Sequence, residues 1–207
     1  IDSIDVHSYF LKGAEKGFFS REAFLKRYRK WLDRNYPDLS VKMSEWCHMQ
    51  GGRDKTMASA LVTADTIYKD ISILNVTSWQ HWIAVSEVDY CDGLIYINLE
   101  DKSFEMTKRY YVTGNFSKYI PFGAKRIAAD CTDGDIKILA FEKDGRSIIV
   151  AINECENEKT IAEILKIAAL DNVIIDGIFT HFSVADDNDD EYTNLQFERF
   201  IKACDII

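Results

Sequence analysis

The sequence predicts an α/β protein with a partial (β/α) barrel, then strands of an antiparallel β-sandwich, then a further βα unit. Strand-like and helix-like segments alternate over the first part of the chain, which is typical of a parallel sheet. Short apolar runs with Asp-Gly pairs follow, and these favour antiparallel hairpins. Helix and strand then alternate again. We therefore expect three domains, at 1–120, 121–155 and 156–207.

Composition limits what the protein can be. Of 207 residues, 47% are hydrophobic, so the chain can bury a core. The net charge of -9 argues against nucleic-acid binding, because a phosphate-binding surface needs clustered Lys and Arg. No apolar run has the length of a membrane span, so we expect no membrane partner, and no signal peptide is recognisable. Five dispersed cysteines predict free thiols rather than disulfides.

The first part of the chain predicts three strands connected by two helices. Ser20 is a good N-cap residue, and Pro37 stops the helix that follows it. The basic residues of that helix are expected on a solvated face. Its predicted apolar face consists of Phe24, Tyr28, Trp31 and Leu32. The predicted strands are 2–10, 39–46 and 73–86, and the predicted helices are 20–36 and 54–72.

The later elements follow from the same patterns. Turns are expected at Asp133-Gly134 and Asp144-Gly145, since Asp-Gly between apolar runs marks a hairpin. The acidic run 186–191 lacks the glycine and distal glutamate of a calcium-binding loop, so we expect a solvated loop and no metal. The predicted helices are 103–120, 159–172 and 188–207, and the predicted strands are 124–130, 135–143, 146–153 and 173–184.

Polar and aromatic residues collect at the predicted strand ends. In a (β/α) barrel the carboxyl ends of the strands face a common cleft, so these side chains could meet there. A carboxylate beside aromatic faces suits sugar rings, and a glutamate could attack an anomeric carbon while a tyrosine hydroxyl orients it. The alternative is a partly exposed strand-end acid with tryptophans that fill the core. The candidates are His7, Tyr9, Glu45, Trp46, Trp79 and Trp82.

Several of these motifs, in this order, resemble the last third of a glycoside hydrolase family 30 enzyme. The motifs are HSYF, VKMSEWCHMQGGRD, the segment from ALVTADTIYKD to GLIYINL, TKRYYVTGNFSKYIPFGAKRI and SIIVAIN, within residues 1–155. The resemblance implies a retaining β-glycanase or β-glycosidase with a (β/α)8 barrel and an attached β-sandwich. It implies an oligo- or polysaccharide partner, xylan or another β-glycan, and no cofactor.

The resemblance also implies roles for individual residues. Glu45 matches the family's nucleophile at the end of the seventh barrel strand. His7 and Tyr9 match the sixth strand, where an aromatic hydroxyl approaches the nucleophile. Trp79 and Trp82 match the eighth strand, which lines the sugar cleft, and Trp46 follows the nucleophile directly.

The second carboxyl of a retaining hydrolase is not found in the sequence. Retention needs two carboxyl groups about 5 Å apart, one to attack and one to protonate the leaving group. In family 30 the acid/base glutamate ends the fourth strand, whereas this chain begins near the sixth. Glu15, Glu22 and Glu87 lack the matching context. A second hypothesis is therefore a non-catalytic carbohydrate-binding or structural module.

The tail resembles a different family. DNVIIDGIFTHFSVADDNDDEYTNLQFERF, within residues 158–207, resembles the barrel of alanine racemases, which use pyridoxal phosphate. There His181 matches a histidine near the cofactor ring, although the favoured interpretation is a satisfied histidine at the end of a buried strand. No residue matches the Schiff-base lysine that this chemistry requires. A racemase fragment is the third hypothesis.

Two incomplete barrels suggest a composite chain joined near residues 154–159: a fusion, a designed or recombined protein, or a gene fragment read across a join. Because the sequence opens without Met and already in a strand, we expect a piece of something longer, whose barrel another chain could complete. A parent glycosidase would be secreted, whereas free cysteines favour a reducing compartment, so the localisation stays open.

Overall fold

The computed structural model describes residues 2–9, 20–132, 136–153, 165–171 and 190–206. The chain divides into two compact units, Ile1–Asn115 and Phe116–Ile207, and each is described by itself. Within the described ranges, no helix is long and apolar enough to cross a membrane.

The first unit is built on a βαβαβ arrangement. Its three strands form a parallel sheet in the order β1-β2-β3. Helices connect them, as parallel strands require. The second helix continues into a π-helical turn at Asp70–Leu74. The elements are β1 (Ser3–His7), α1 (Arg21–Asn35), β2 (Ser40–Trp46), α2 (Met57–Lys69) and β3 (Ser78–His81).

A smaller mixed sheet and a helix follow in the chain. The first two strands of this sheet are parallel and the last two antiparallel. The elements are β4 (Val85–Ser86), β5 (Ile95–Ile97), β6 (Phe104–Met106) and α3 (Lys108–Tyr119).

The second unit contains an antiparallel sheet in the order β7-β8-β9. Its hairpin turn is at Asp144-Gly145, where both residues have positive φ, 52° and 75°. Two left-handed residues in a two-residue loop are the preferred turn for a twisted hairpin. Residues 165–168 are helical. The other elements are β7 (Lys125–Ile127), β8 (Ile136–Lys143), β9 (Arg146–Asn153) and α4 (Asp190–Ile206).

The core of the first unit lies between the parallel sheet and the helices. Alternate residues of β2 supply its centre, because successive side chains of a strand point to opposite faces. Trp79 and Tyr9 are partly buried against it. Its buried members are Leu25, Leu32, Val41, Met43, Trp46 and Leu74.

Several predictions about the fold are confirmed. The fold is mixed α/β, Ser20 caps α1 by accepting a hydrogen bond from the Ala23 N–H at 3.2 Å, and the strands of the second unit are antiparallel. Cys47, Cys91, Cys131 and Cys204 are free thiols, and Cys155 lies outside the described residues. The closed barrel and the sandwich stay predictions.

Three predictions about local structure are wrong. Trp31 is 51% exposed, and Leu25 takes its expected place in the core of α1. The segment 73–86 is not one strand, because its first residues finish the π-helical turn and Val85–Ser86 pairs in another sheet. The expected helix at 103–120 begins only at Lys108, because Phe104–Met106 pairs with β5. The predicted strand 173–184 lies outside the described residues.

The packing of α1 can be tested with two neighbouring substitutions. Leu32→Ala should lower the free energy of unfolding by about 2–5 kcal/mol, because Leu32 is fully buried and a cavity would remain. Trp31→Ala should cost clearly less, since half of that side chain is already in water. Urea denaturation followed by far-UV circular dichroism measures both. Equal losses would show that Trp31 belongs to the core.

Candidate active site

The register of the parallel sheet brings Glu45 beside the end of β1. His7 is paired with Glu45, after a register shift between Val6 and His7. Tyr9 lies two residues further along the same chain. The three residues that the sequence placed at two separate strand ends therefore form one cluster.

Both neighbours contact the same oxygen of the Glu45 carboxylate. The Tyr9 hydroxyl donates a hydrogen bond to Oε1 at 3.2 Å, and His7 Nδ1 lies 3.6 Å from it. In the described part of the chain, these are the polar contacts of the carboxylate. The Glu45 side chain is 26% exposed and that of His7 is 51% exposed. One carboxylate oxygen thus has two polar neighbours, while Oε2 has none among the described residues.

Tyr9 is held in its protonated, donating form. Burial is the main reason that its pKa is raised far above the usual range of a phenol, with contributions from Cys47 and Glu45. Its hydroxyl also lies 3.8 Å from the Cys47 sulfur. Cys47 is 3% exposed, and burial raises its pKa, so it is a neutral thiol rather than a second nucleophile.

A buried carboxylate beneath this cluster was missed by the sequence analysis. Asp70 is fully buried and binds Arg21 at 2.5 Å. It also accepts hydrogen bonds from Trp79 Nε1 at 2.9 Å and from the Ser8 hydroxyl at 3.5 Å. The sequence held a signal, because an aspartate falls on the face of α2 and its extension that is otherwise apolar or small. That buried face is Ala60, Thr63, Ala64, Ile67, Asp70 and Leu74.

The three tryptophans do not form one platform. Trp46 is 7% exposed and packs on Trp79 with ring centroids 5.9 Å apart. Since Trp79 also donates to Asp70, both rings are engaged in packing, the alternative that the sequence left open. Trp82 follows β3 directly and is 49% exposed. It is the only one of the three whose side chain is exposed.

His81 completes this aromatic group. Its ring centroid lies 6.5 Å from that of Trp46 and 6.1 Å from that of Trp79. Its Nε2 lies 2.8 Å from the Asp92 carbonyl oxygen, so the neutral ring carries its proton on Nε2 and donates there. Burial lowers the pKa of His81 to about 4. His81 was not among the predicted site residues.

Of the three glutamates considered as a second carboxyl, the two that the structure describes, Glu22 and Glu87, do not contact Glu45. Glu22 is paired with Lys26 on the surface of α1, and Glu87 is exposed. Glu15 lies outside the described residues. The described ranges also hold no group of three or more His, Cys, Asp or Glu side chains arranged for a metal ion. His181 and its predicted strand also lie outside these ranges.

Two known protein families match separate parts of this chain. Residues 2–96 match the family described as O-Glycosyl hydrolase family 30, and residues 155–207 match Alanine racemase, N-terminal domain. Both resemblances found in the sequence are therefore confirmed, each over its own part of the chain.

Two solved xylanase structures have a fold similar to that of this chain. The catalytic domain of GH30 xylanase C from Talaromyces cellulolyticus is 22% identical with a TM-score of 0.52, over 57% of this chain and 29% of that chain. A GH30 endoxylanase from Clostridium papyrosolvens is 19% identical with a TM-score of 0.53, over 74% of this chain and 34% of that chain. At this identity the likeness concerns the fold alone.

Curated alanine racemases match the tail. That of Clostridium tetani is 44% identical over 48 residues, which is 23% of this chain and 12% of the racemase. Alanine racemase 1 of Clostridium acetobutylicum is 46% identical over 43 residues, 21% of this chain and 11% of that protein. The chain thus spans only a small part of the length of either kind of relative.

The buried His81 should make the first unit sensitive to acid. Because its pKa is lowered to about 4 from 6.5, the unfolded chain binds its proton first as the pH falls. Stability should therefore drop between about pH 6.5 and 4, by roughly 2–3 kcal/mol from this group. His81→Gln should remove that part of the pH dependence, measured by urea unfolding with tryptophan fluorescence.

The matched control for this substitution is His7→Gln, which changes an exposed histidine. It should leave the slope between pH 6.5 and 4 close to that of the unsubstituted protein. If His81→Gln leaves the slope unchanged as well, His81 is not buried in its neutral form.

Proposed function

We propose that the first unit carries the nucleophile of a retaining glycoside hydrolase site for a β-glycan of the xylan type, with Glu45 as the nucleophile. The observation that carries the proposal is the Tyr9 hydroxyl on Glu45 Oε1 at the end of a parallel sheet. The family match over residues 2–96 supports the reaction class, and the two structural neighbours are xylanases, which suggests xylan as the substrate.

The geometry suits attack by Oε2. Tyr9 and His7 both contact Oε1, so they hold the carboxylate in one orientation without covering its other oxygen. Because the Tyr9 hydroxyl stays protonated, its hydrogen bond can stabilise the negative charge on Glu45 before the attack. That hydrogen bond weakens as the ester forms and Glu45 loses its charge. As the bond from Oε2 to the anomeric carbon forms, the bond from that carbon to the leaving-group oxygen breaks, and its electron pair leaves with that oxygen.

The second carboxyl sets the limit of this proposal. A natural glycan has a poor leaving group, which must be protonated, and no carboxyl among the described residues contacts the Glu45 side chain. We propose that another part of a complete barrel supplies the acid/base group, as the family's fourth-strand position for this residue implies. Without it, attack should still occur on substrates whose leaving group needs no proton.

An activated substrate therefore tests the nucleophile by itself. The full chain should release dinitrophenolate from 2,4-dinitrophenyl β-xylobioside, and azide should raise the rate at least tenfold because it attacks the ester without a general base. The product is β-xylobiosyl azide, with the starting configuration retained. Glu45→Gln should lower the rate by about 100-fold or more, since the attacking oxygen is lost. Spectrophotometry and NMR of the product measure both.

The matched control is Glu22→Gln, which changes an exposed glutamate on α1 and should leave the azide-dependent rate intact. A folded protein that forms no azide product, or a Glu45→Gln variant that forms it at the original rate, would end the proposal.

The second candidate is a non-catalytic carbohydrate-binding module. The half-exposed Trp82 favours it, because an exposed indole can stack on a sugar whether or not a bond is broken. Quenching of tryptophan fluorescence by xylo-oligosaccharides that is lost in Trp82→Ala, together with no azide product, would select this candidate. The racemase-like tail adds no function of its own here, since no lysine of this chain matches the cofactor anchor.

A further inference from the structure

We propose that the buried Arg21–Asp70 pair positions the Glu45 site by fixing the end of β1 and, with it, the Tyr9 hydroxyl. Neither residue touches Glu45, so both are positioning residues rather than catalytic ones. The inference deepens the proposed function, and its kinetic consequence rests on that function. Its structural content stands on contacts alone.

Asp70 is the centre of this arrangement. Its side chain is fully buried and each oxygen has a partner: Oδ1 binds Arg21, and Oδ2 accepts from Trp79 and Ser8. Arg21 is 16% exposed, so water competes little with the pair. A buried carboxylate with these partners is confined to one place, because losing any of them leaves a charge or a donor unsatisfied.

Ser8 transmits this constraint to the site. Arg21 Nη1 donates to the Ser8 carbonyl oxygen at 2.7 Å, and Nη2 donates to its hydroxyl at 2.5 Å. Ser8 is 1% exposed, and Arg21 binds both its backbone and its side chain. Its chain neighbours are His7 and Tyr9, the two residues that contact Glu45. Fixing Ser8 therefore also restricts the backbone positions of His7 and Tyr9.

The hydrogen bonds around Asp70 connect several elements of the first unit. Arg21 comes from the first residue of α1, Asp70 from the π-helical turn, and Trp79 from β3. The Tyr9 bond to Glu45 is 3.2 Å long, at the upper end of useful hydrogen-bond lengths. A shift of β1 by a fraction of an ångström would weaken it, so the site depends on a support that holds the strand end still.

A tyrosine resonance tests the positioning without any activity. In the full chain labelled with [13Cζ]tyrosine, Tyr9→Phe assigns the Tyr9 signal, and Glu45→Gln should move it because the acceptor loses its charge. In Asp70→Asn, the same Glu45→Gln change should move the signal by less than half as much. Asp65→Asn is the matched control: it removes the Lys69 partner on the same helix and should leave the full movement.

Arg21→Lys keeps the charge but loses the second donor to Ser8, so it should give an intermediate movement. It decides the question if Asp70→Asn does not fold. Full movement of the Tyr9 signal in a folded Asp70→Asn or Arg21→Lys protein would overturn the proposal.

The kinetic arm separates this inference from the proposed function. In the azide assay, Asp70→Asn should lower kcat about tenfold with KM nearly unchanged, because the substrate surface is intact and the nucleophile is misplaced. A merely structural role would lower the active fraction without reducing the Tyr9 response. If the unsubstituted protein forms no azide product, the proposed function fails, while the resonance still reports on the positioning.

Discussion

The first unit depends on one buried carboxylate. A charge without water is unfavourable unless other groups satisfy it, and Asp70 obtains a guanidinium, an indole N–H and a hydroxyl from three different segments. Burial raises its pKa, and Arg21, Trp79 and Ser8 oppose that rise. These partners come from α1, from the residue that follows β1 and from β3, so satisfying the charge connects the helix layer to the sheet.

The cluster around Glu45 shows how environment assigns roles to neighbouring groups. Burial raises the pKa values of the Tyr9 phenol and the Cys47 thiol, so both groups stay neutral well above neutral pH. Glu45 alone combines partial exposure with a fixed orientation. A carboxylate in this setting is available to a ligand on one oxygen and held on the other, which is the arrangement that nucleophilic attack requires.

The sequence predicted the elements that local chemistry defines. Ser20 and Pro37 delimit α1, and Asp144-Gly145 defines a hairpin, since each acts on the backbone of its immediate neighbours: Ser20 through its hydroxyl, and the other residues through their own backbone angles. The prediction of one strand at 73–86 was wrong because an apolar run does not distinguish a strand from a buried helix. The first residues of this segment extend α2.

The site was predictable only in part, and for a physical reason. Glu45, Tyr9 and His7 were identified from strand ends and a family motif, and the register brings them together. Asp70 was missed because its partners are up to 62 residues away in the chain, where no local pattern reaches. Whether Trp46 and Trp79 are buried depends on the same distant contacts, and His181 lies outside the described residues.

The most direct measurement of the central claim, that Glu45 is the attacking group, is mass-spectrometric mapping of the ester formed with an activated 2-deoxy-2-fluoro-β-xylobioside. The fluorine slows breakdown of the ester, so the modified residue can be found after proteolysis. We expect the added mass on the peptide that contains Glu45, and none in the Glu45→Gln protein. An ester on another carboxylate, or a folded protein that stays unmodified, would contradict the account.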